Sequence, residues 1–338
     1  MASPRPLRMA LFGSGRIGQV HAHNLAAHPD IELVLIADPF IDAARKLAEQ
    51  TGARAVQDPD EVFAEPGLDA VIIGSPTSTH VDLITRAAAQ GLAVLCEKPI
   101  DLDLATVMEC RDKLKDTTVP IMLGFNRRFD PSFASINSRV AAGEIGSLEQ
   151  VTIISRDPAP APRDYIETSG GIFRDMTIHD LDMARFFVED IVEVTAVGSN
   201  QFSSDIEELG DYDSAVVTLR GSRGELITIT NSRHCAYGYD QRLEAFGSEG
   251  MLEAKNIAAT TVRKYGASGT AEGEAFMPFF LERYAQAYKA ELDAFAMAIR
   301  SGTPCSPSFE DGVAALVLAD AALESARTGK TVKLKSIA

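Results

Sequence analysis

The 338-residue chain has no tryptophan, only four cysteines, a shortage of positive charge and no long uninterrupted apolar run. The missing tryptophan excludes nothing. Cys96, Cys110, Cys235 and Cys305 are widely scattered and contain no C-x-x-C pair. That spacing argues against a zinc cluster or a disulfide framework and leads to an expectation of reduced thiols in the cytoplasm. No apolar stretch reaches the roughly 18 residues of a spanning helix, so no membrane span is expected. The segment Met1–Arg8 is short, Pro-rich and basic, unlike a signal peptide. Lys and Arg number 32 against 48 Asp and Glu, a formal net charge of -16. Such a surface repels nucleic acid and anionic membranes, although a local site can still hold an anionic cofactor.

What is present is the balance of a soluble globular protein, 46% hydrophobic and 24% charged residues. The length exceeds what one hydrophobic core usually serves, so two domains are expected. In the first third, apolar runs at Leu7–Gly13, Ile31–Asp38, Ala70–Ser75, Ala93–Glu97 and Val119–Phe125 alternate with helical patterns at Ile17–Ala27, Ile41–Thr51, His80–Gln90 and Leu104–Lys115. Strands alternating with helices indicate a parallel sheet covered on both faces. After about Asn126 the pattern changes. Helices are expected at Pro131–Ala142 and near Asp175–Val188. Strand-like runs follow at Leu148–Arg156, Val192–Ser199, Ser214–Arg220, Glu225–Asn231, Gln241–Phe246, Met251–Lys255 and Thr261–Lys264. Two late helices are expected at Phe280–Arg300 and Glu310–Arg327. The expected fold is therefore α/β: an N-terminal Rossmann dinucleotide-binding domain over 1–125, then an α+β domain over 126–338 with a large, mostly antiparallel open sheet. A late helix would be able to pack back on the first domain.

The segment Gly13-Ser14-Gly15-Arg16-Ile17-Gly18 contains G-x-G-x-x-G. Alone the pattern is weak, but here it follows a strand and opens a helix within a βαβ unit. Gly13 suits the tight turn, Gly15 the approach of a pyrophosphate to the backbone, and Gly18 close packing of helix on sheet. Asp38 ends the next strand, where a carboxylate accepts bonds from ribose hydroxyls and repels a 2′-phosphate, which favours NAD. Arg16 and Ile17 are expected to flank the cofactor. Ser75, Pro76, Thr77 and His80 follow the third strand and Glu97-Lys98 the next, at the strand ends that line such a crevice.

Asp175, His179 and Asp182 are spaced i, i+4, i+7, so one helix would align them as a polar stripe between apolar flanks. A buried hydrogen-bond network, a metal site and acid–base chemistry all fit such a stripe. No further ligand of matching type stands out, which disfavours a metal. Imidazole titrates near neutral pH and a carboxylate one turn away can fix its tautomer, which favours proton transfer.

The G-S-G-R-I-G opening, Glu97-Lys98-Pro99 and the Asp175/His179 helix resemble the Gfo/Idh/MocA oxidoreductase family over roughly Leu7 to Val332. Gly124 to Pro131, Gly238 to Arg242 and Phe279 to Tyr284 resemble its inositol dehydrogenase branch. The resemblance implies NAD-dependent oxidation of a secondary alcohol on a small-molecule polyol, inositol first. Alternatives are scyllo-inositol or a pyranose sugar as substrate, or a non-catalytic NAD- or sugar-binding sensor. It further implies a catalytic trio of Lys98, Asp175 and His179, a cis Lys98–Pro99 bond, and substrate contacts from Arg127, Asp182 and either Tyr237 or Tyr239. A homotetramer is also implied. Asp157 is a departure, since it stands where the family pattern has a neutral polar contact, and it is expected to touch substrate.

Overall fold

A computed structural model of the protein describes residues 5–267 and 269–334, and the chain falls into two compact units. The first comprises 1–126 with 287–313, the second 127–286 with 314–338. Positions 1–4 of the basic N-terminal stretch lie outside the described residues.

In the first unit β1 (Leu7–Phe12), α1 (Arg16–Ala27), β2 (Ile31–Ala37), α2 (Ile41–Thr51), β3 (Arg54–Val56), α3 (Pro59–Phe63), β4 (Ala70–Ile73), α4 (His80–Ala89), β5 (Ala93–Cys96), α5 (Leu104–Leu114) and β6 (Ile121–Leu123) follow in order. The strands form a six-stranded sheet, β3-β2-β1-β4-β5-β6. Every pairing is parallel. β4 and β5 read Ala-Val-Ile-Ile and Ala-Val-Leu-Cys and are buried throughout, as strands covered on both faces must be. The strand order reverses between β1 and β4, so the Gly13 and Gly74 loops leave neighbouring carboxyl ends side by side. β3 and α3 escape sequence reading because they are short and lack clear periodicity.

The second unit contains α6 (Pro131–Ala141), β7 (Leu148–Arg156), α7 (Arg163–Ser169), α8 (Ile178–Phe187), β8 (Ile191–Ser199), α9 (Ser204–Glu208), β9 (Ser214–Gly221), β10 (Leu226–Ser232), β11 (Asp240–Gly247) and β12 (Gly250–Ala254). A separate hairpin pairs β13 (Arg263–Gly266) with β14 (Gly269–Gly273). The expected run at Thr261–Lys264 thus belongs to this hairpin and not to the main sheet. The long helix expected at Phe280–Arg300 is interrupted at Tyr284 into α10 (Phe280–Arg283) and α11 (Ala285–Ser301). Then come α12 (Phe309–Thr328) and β15 (Val332–Lys333). The main sheet runs β12-β11-β7-β10-β9-β8-β15. It is antiparallel except where β7 pairs with β10. Along β9, Ala215, Val217 and Leu219 are buried and alternate with exposed Val216, Thr218 and Arg220, the signature of a sheet packed on one face only.

Candidate active site

At the carboxyl end of β1 the backbone, not a side chain, shapes the loop. Gly13 has φ +97°, and a Cβ there would sit 2.6 Å from the Gly74 carbonyl oxygen. A Cβ on Gly18 would lie 2.1 Å from the Gly13 carbonyl oxygen. Gly15 faces open space and precedes the first turn of α1, which holds no acidic residue. Unsatisfied N–H groups of that turn therefore present partial positive charge to whatever approaches across Gly15. One Asp38 oxygen accepts from the Ser14 N–H and hydroxyl, each at 2.7 Å, and the other from the Phe40 N–H at 2.8 Å. A carboxylate has room for about four such bonds, so Asp38 braces the loop and keeps acceptor capacity for a ribose hydroxyl. The cradle fits an NAD dinucleotide, with Gly13, Gly15 and the start of α1 for its phosphates and Asp38 for its ribose.

The loops after β4 and β5 differ in part from the sequence expectation. Ser75 and Thr79 hydroxyls bond at 2.6 Å, and Thr79 donates to the Pro76 carbonyl at 2.8 Å, which closes a turn over Thr77–Thr79. His80, expected to touch the cofactor, is buried with its ring nitrogens on the Pro99 and Ser75 carbonyls at 2.8 and 2.9 Å. It ties the two loops together because both ring nitrogens face backbone acceptors. Glu97, also expected at the cofactor, turns inward to the His21 Nε2 at 2.7 Å, beneath Gly124. Lys98 is half-buried between these elements, and the Lys98–Pro99 bond is cis.

In the second unit the helix that carries Asp175 is not uniform. Phe173–Thr177 form a π turn that runs into α8, a wider turn common at functional sites. The three residues expected in one stripe differ in burial, with Asp175 and His179 half-buried and Asp182 enclosed. Asp175 stays near the surface, where Oδ1 accepts from the Tyr165 hydroxyl at 2.8 Å and Oδ2 from the buried Arg233 at 3.2 Å. His179 is half-buried one turn on. Asp182, expected among the substrate contacts, is 1% exposed and its two oxygens accept from Arg128 Nε and Nη2 at 2.9 and 2.6 Å. Such a bidentate pair ties both Asp182 oxygens to a protein cation and buries the carboxylate with it.

Arg127 is similarly enclosed. It donates to Asp180 and, at 3.3 Å, to the Ser155 hydroxyl, while Asn231 holds the other Asp180 oxygen at 2.8 Å. Gln241 joins Ser155 at 2.9 Å, and the Tyr284 hydroxyl joins Gln241 at 3.0 Å. Asp157 follows β7 and is half-buried. Burial, then the Asp175 charge, pushes its carboxyl up to about 6 against the pull of Arg233 and Arg127. Of the two tyrosines, Tyr239 is buried against Phe279 and Tyr284, whereas Tyr237 is 44% exposed and donates to Asp240 at 2.8 Å. Sequence reading missed Asp180, Arg128 and Arg233. An Asn126-Arg127-Arg128 turn facing a helix with two further aspartates was the available signal for the first two; nothing local marks Arg233.

A family model described as an oxidoreductase family with an NAD-binding Rossmann fold matches residues 7–125, and the GFO/IDH/MocA C-terminal domain matches residues 133–253. The chain belongs to the Gfo/Idh/MocA oxidoreductase family. As in that family's first domain, the cofactor is NAD. Within the Gfo/Idh/MocA family, inositol 2-dehydrogenase of Rhizobium meliloti is 45% identical over 332 residues, 97% of this chain and 99% of that protein. The crystal structure of a myo-inositol dehydrogenase from Corynebacterium glutamicum superposes with a TM-score of 0.96 at 67% identity, covering 98% of this chain and 99% of that one. A scyllo-inositol dehydrogenase from Lactobacillus casei, solved with bound NAD(H) and scyllo-inositol, superposes at 0.90 with 27% identity over 97% of this chain and 99% of that one.

Proposed function

We propose that this chain is an NAD-dependent dehydrogenase that oxidises a ring hydroxyl of myo-inositol to the corresponding ketone in inositol catabolism. The observation that carries the reading is the near full-length likeness at 67% identity to a myo-inositol dehydrogenase. The Asp175–His179 pair supplies a matching chemistry. His179 removes the hydroxyl proton. Asp175, held by Tyr165 and Arg233, orients and stabilises the imidazole as it becomes a cation. Lys98 stabilises the developing alkoxide with its ammonium group. Bound NAD supplies the acceptor for the hydrogen and electron pair leaving the ring carbon. Arg127, Asp157 and Tyr237 or Tyr239 shape the polyol side. Asp182, enclosed by Arg128, acts there as support.

The test is a panel of myo-inositol, scyllo-inositol and pyranose sugars compared by kcat/KM, followed by reduced-cofactor absorbance. Preference for myo-inositol is expected; a stronger preference for another polyol reassigns the substrate, and no reduction of NAD with any of them leaves the sensor reading. His179→Ala should lose roughly 10²–10⁴-fold in turnover while still binding NAD; unchanged turnover refutes its role.

The same reading places the protein in the cytoplasm, in keeping with four buried free thiols, and assembles it as a homotetramer. Support for assembly comes from the uncovered face of the main sheet. Cross-strand partners Val197 and Val216 are 67% and 48% exposed, and Phe246 and Met251, also partners, 42% and 47%. A second copy of this face, equally apolar at both places, would cover them.

A further inference from the structure

Glu291 on α11 stands out among the buried groups of the first unit. It is 0% exposed, and neither carboxyl oxygen has a hydrogen-bond partner among the described residues. Its helix neighbours Tyr288, Leu292 and Phe295 are buried as well, and Tyr288 meets the His21 ring edge-on at 5.8 Å. His21 in turn holds Glu97 at 2.7 Å. Glu291 thus sits one turn along α11 from Tyr288, whose ring packs on the His21 that holds Glu97, the residue before Lys98. Burial, and then the Glu97 charge, raise the Glu291 carboxyl well above the ordinary carboxylate range. A second negative charge near Glu97 is disfavoured at a site with no exposure of its own, and Glu97 already has the His21 ring at 2.7 Å. A bare apolar side chain would fill the α11 position at no desolvation cost, so a carboxyl there calls for another reason.

We propose that Glu291 is a positioning residue, a neutral carboxylic acid whose O–H reaches the Glu97 carboxylate through a buried water and so holds the Glu97–Lys98 segment in place. A buried polar group without a protein partner is ordinarily satisfied by such a water. His21 grips one side of Glu97 and Glu291 the other. The Glu97 N–H is meanwhile anchored on the Ile73 carbonyl at 2.9 Å, so backbone and side chain of the residue before Lys98 are both tied down. The consequence for turnover rests on the proposed role of Lys98; the protonation state does not.

Three variants of the full-length protein test this. Wild type should show the infrared carbonyl band of a protonated carboxylic acid at neutral pH, and Glu291→Gln should lose it. Glu291→Gln, whose amide can still donate, should keep kcat within a few-fold. Glu291→Met, similar in shape but apolar, should have an equal or higher Tm and yet lose roughly 10- to 100-fold in kcat with little change in KM for the polyol. A purely structural residue predicts the reverse, a lower Tm with kcat intact. Absence of the band, or full activity in Glu291→Met, overturns the proposal. Failure of wild type to oxidise any polyol would instead sink the reading of the site while leaving the infrared result to stand. Glu97→Gln should weaken kcat alongside, without removing the band.

Discussion

Asp157 carries its charge reluctantly. Folding brings it against Asp175 and away from water, and its neutral form is held up to about pH 6. The sign follows from linkage. Because the folded value is raised, the group's contribution to stability is complete in acid, below the ordinary carboxylate range. It is lost as pH rises through about 6. Asp157→Asn, a neutral mimic, should therefore match wild type in Tm at low pH and exceed it above pH 6, as a melting series across pH would show. An equal gap at every pH would contradict this. Asp213 behaves in the opposite sense. Burial raises its carboxyl, but the N–H groups of Phe202, Ser203 and Gln201 and the Ser214 hydroxyl outweigh that and leave it lowered. Its contribution is present above the ordinary carboxylate range and is lost as pH falls. Asp213→Asn should cost about 1.5–3 kcal/mol near neutral pH, measured by urea unfolding, and the loss should shrink in acid.

Among the elements, the β1–α1 turn depends on missing atoms more than on present ones. Gly13→Ala places a methyl group 2.6 Å from the Gly74 carbonyl in a left-handed backbone, a strain of about 1–3 kcal/mol. NAD affinity should fall at least roughly tenfold. Fluorescence titration with NADH reads it cleanly because the chain has no tryptophan, and unchanged affinity would count against the cradle. This turn was legible in the sequence because glycine spacing maps directly onto backbone geometry. So was the alternation of strands and helices in the first unit, whose buried strands are short continuous apolar runs. The Asp175 segment was legible only in part. An i, i+4, i+7 pattern assumes a uniform helix, and the π turn at Phe173–Thr177 violates that assumption. The ion pairs of Arg127 with Asp180 and Arg128 with Asp182 are long-range choices between neighbouring, chemically identical residues. Local spacing cannot make them. His80 and Glu97 were located on the right loops, but a sequence does not say whether a polar side chain points into a crevice or back to a carbonyl.

For the whole molecule, the proposed assembly uses the exposed apolar residues on one face of the second unit's sheet. Val197→Lys combined with Val216→Glu sets charges on adjacent strands of that face and should shift the sedimentation distribution toward smaller species without altering the Tm of the isolated subunit by much. Retention of the wild-type distribution would direct attention to another surface. The net charge of -16 adds a prediction in the same assay, since screening by salt weakens repulsion between like-charged copies and should favour the larger species.

The first unit is also discontinuous, drawing residues 287–313 back to a sheet completed by residue 123. During synthesis the early strands therefore leave the ribosome long before the helix that brings Tyr288 against His21. Until then the nascent half-domain exposes an apolar seam, and a chain stopped between the two pieces would offer that seam to chaperones and proteases.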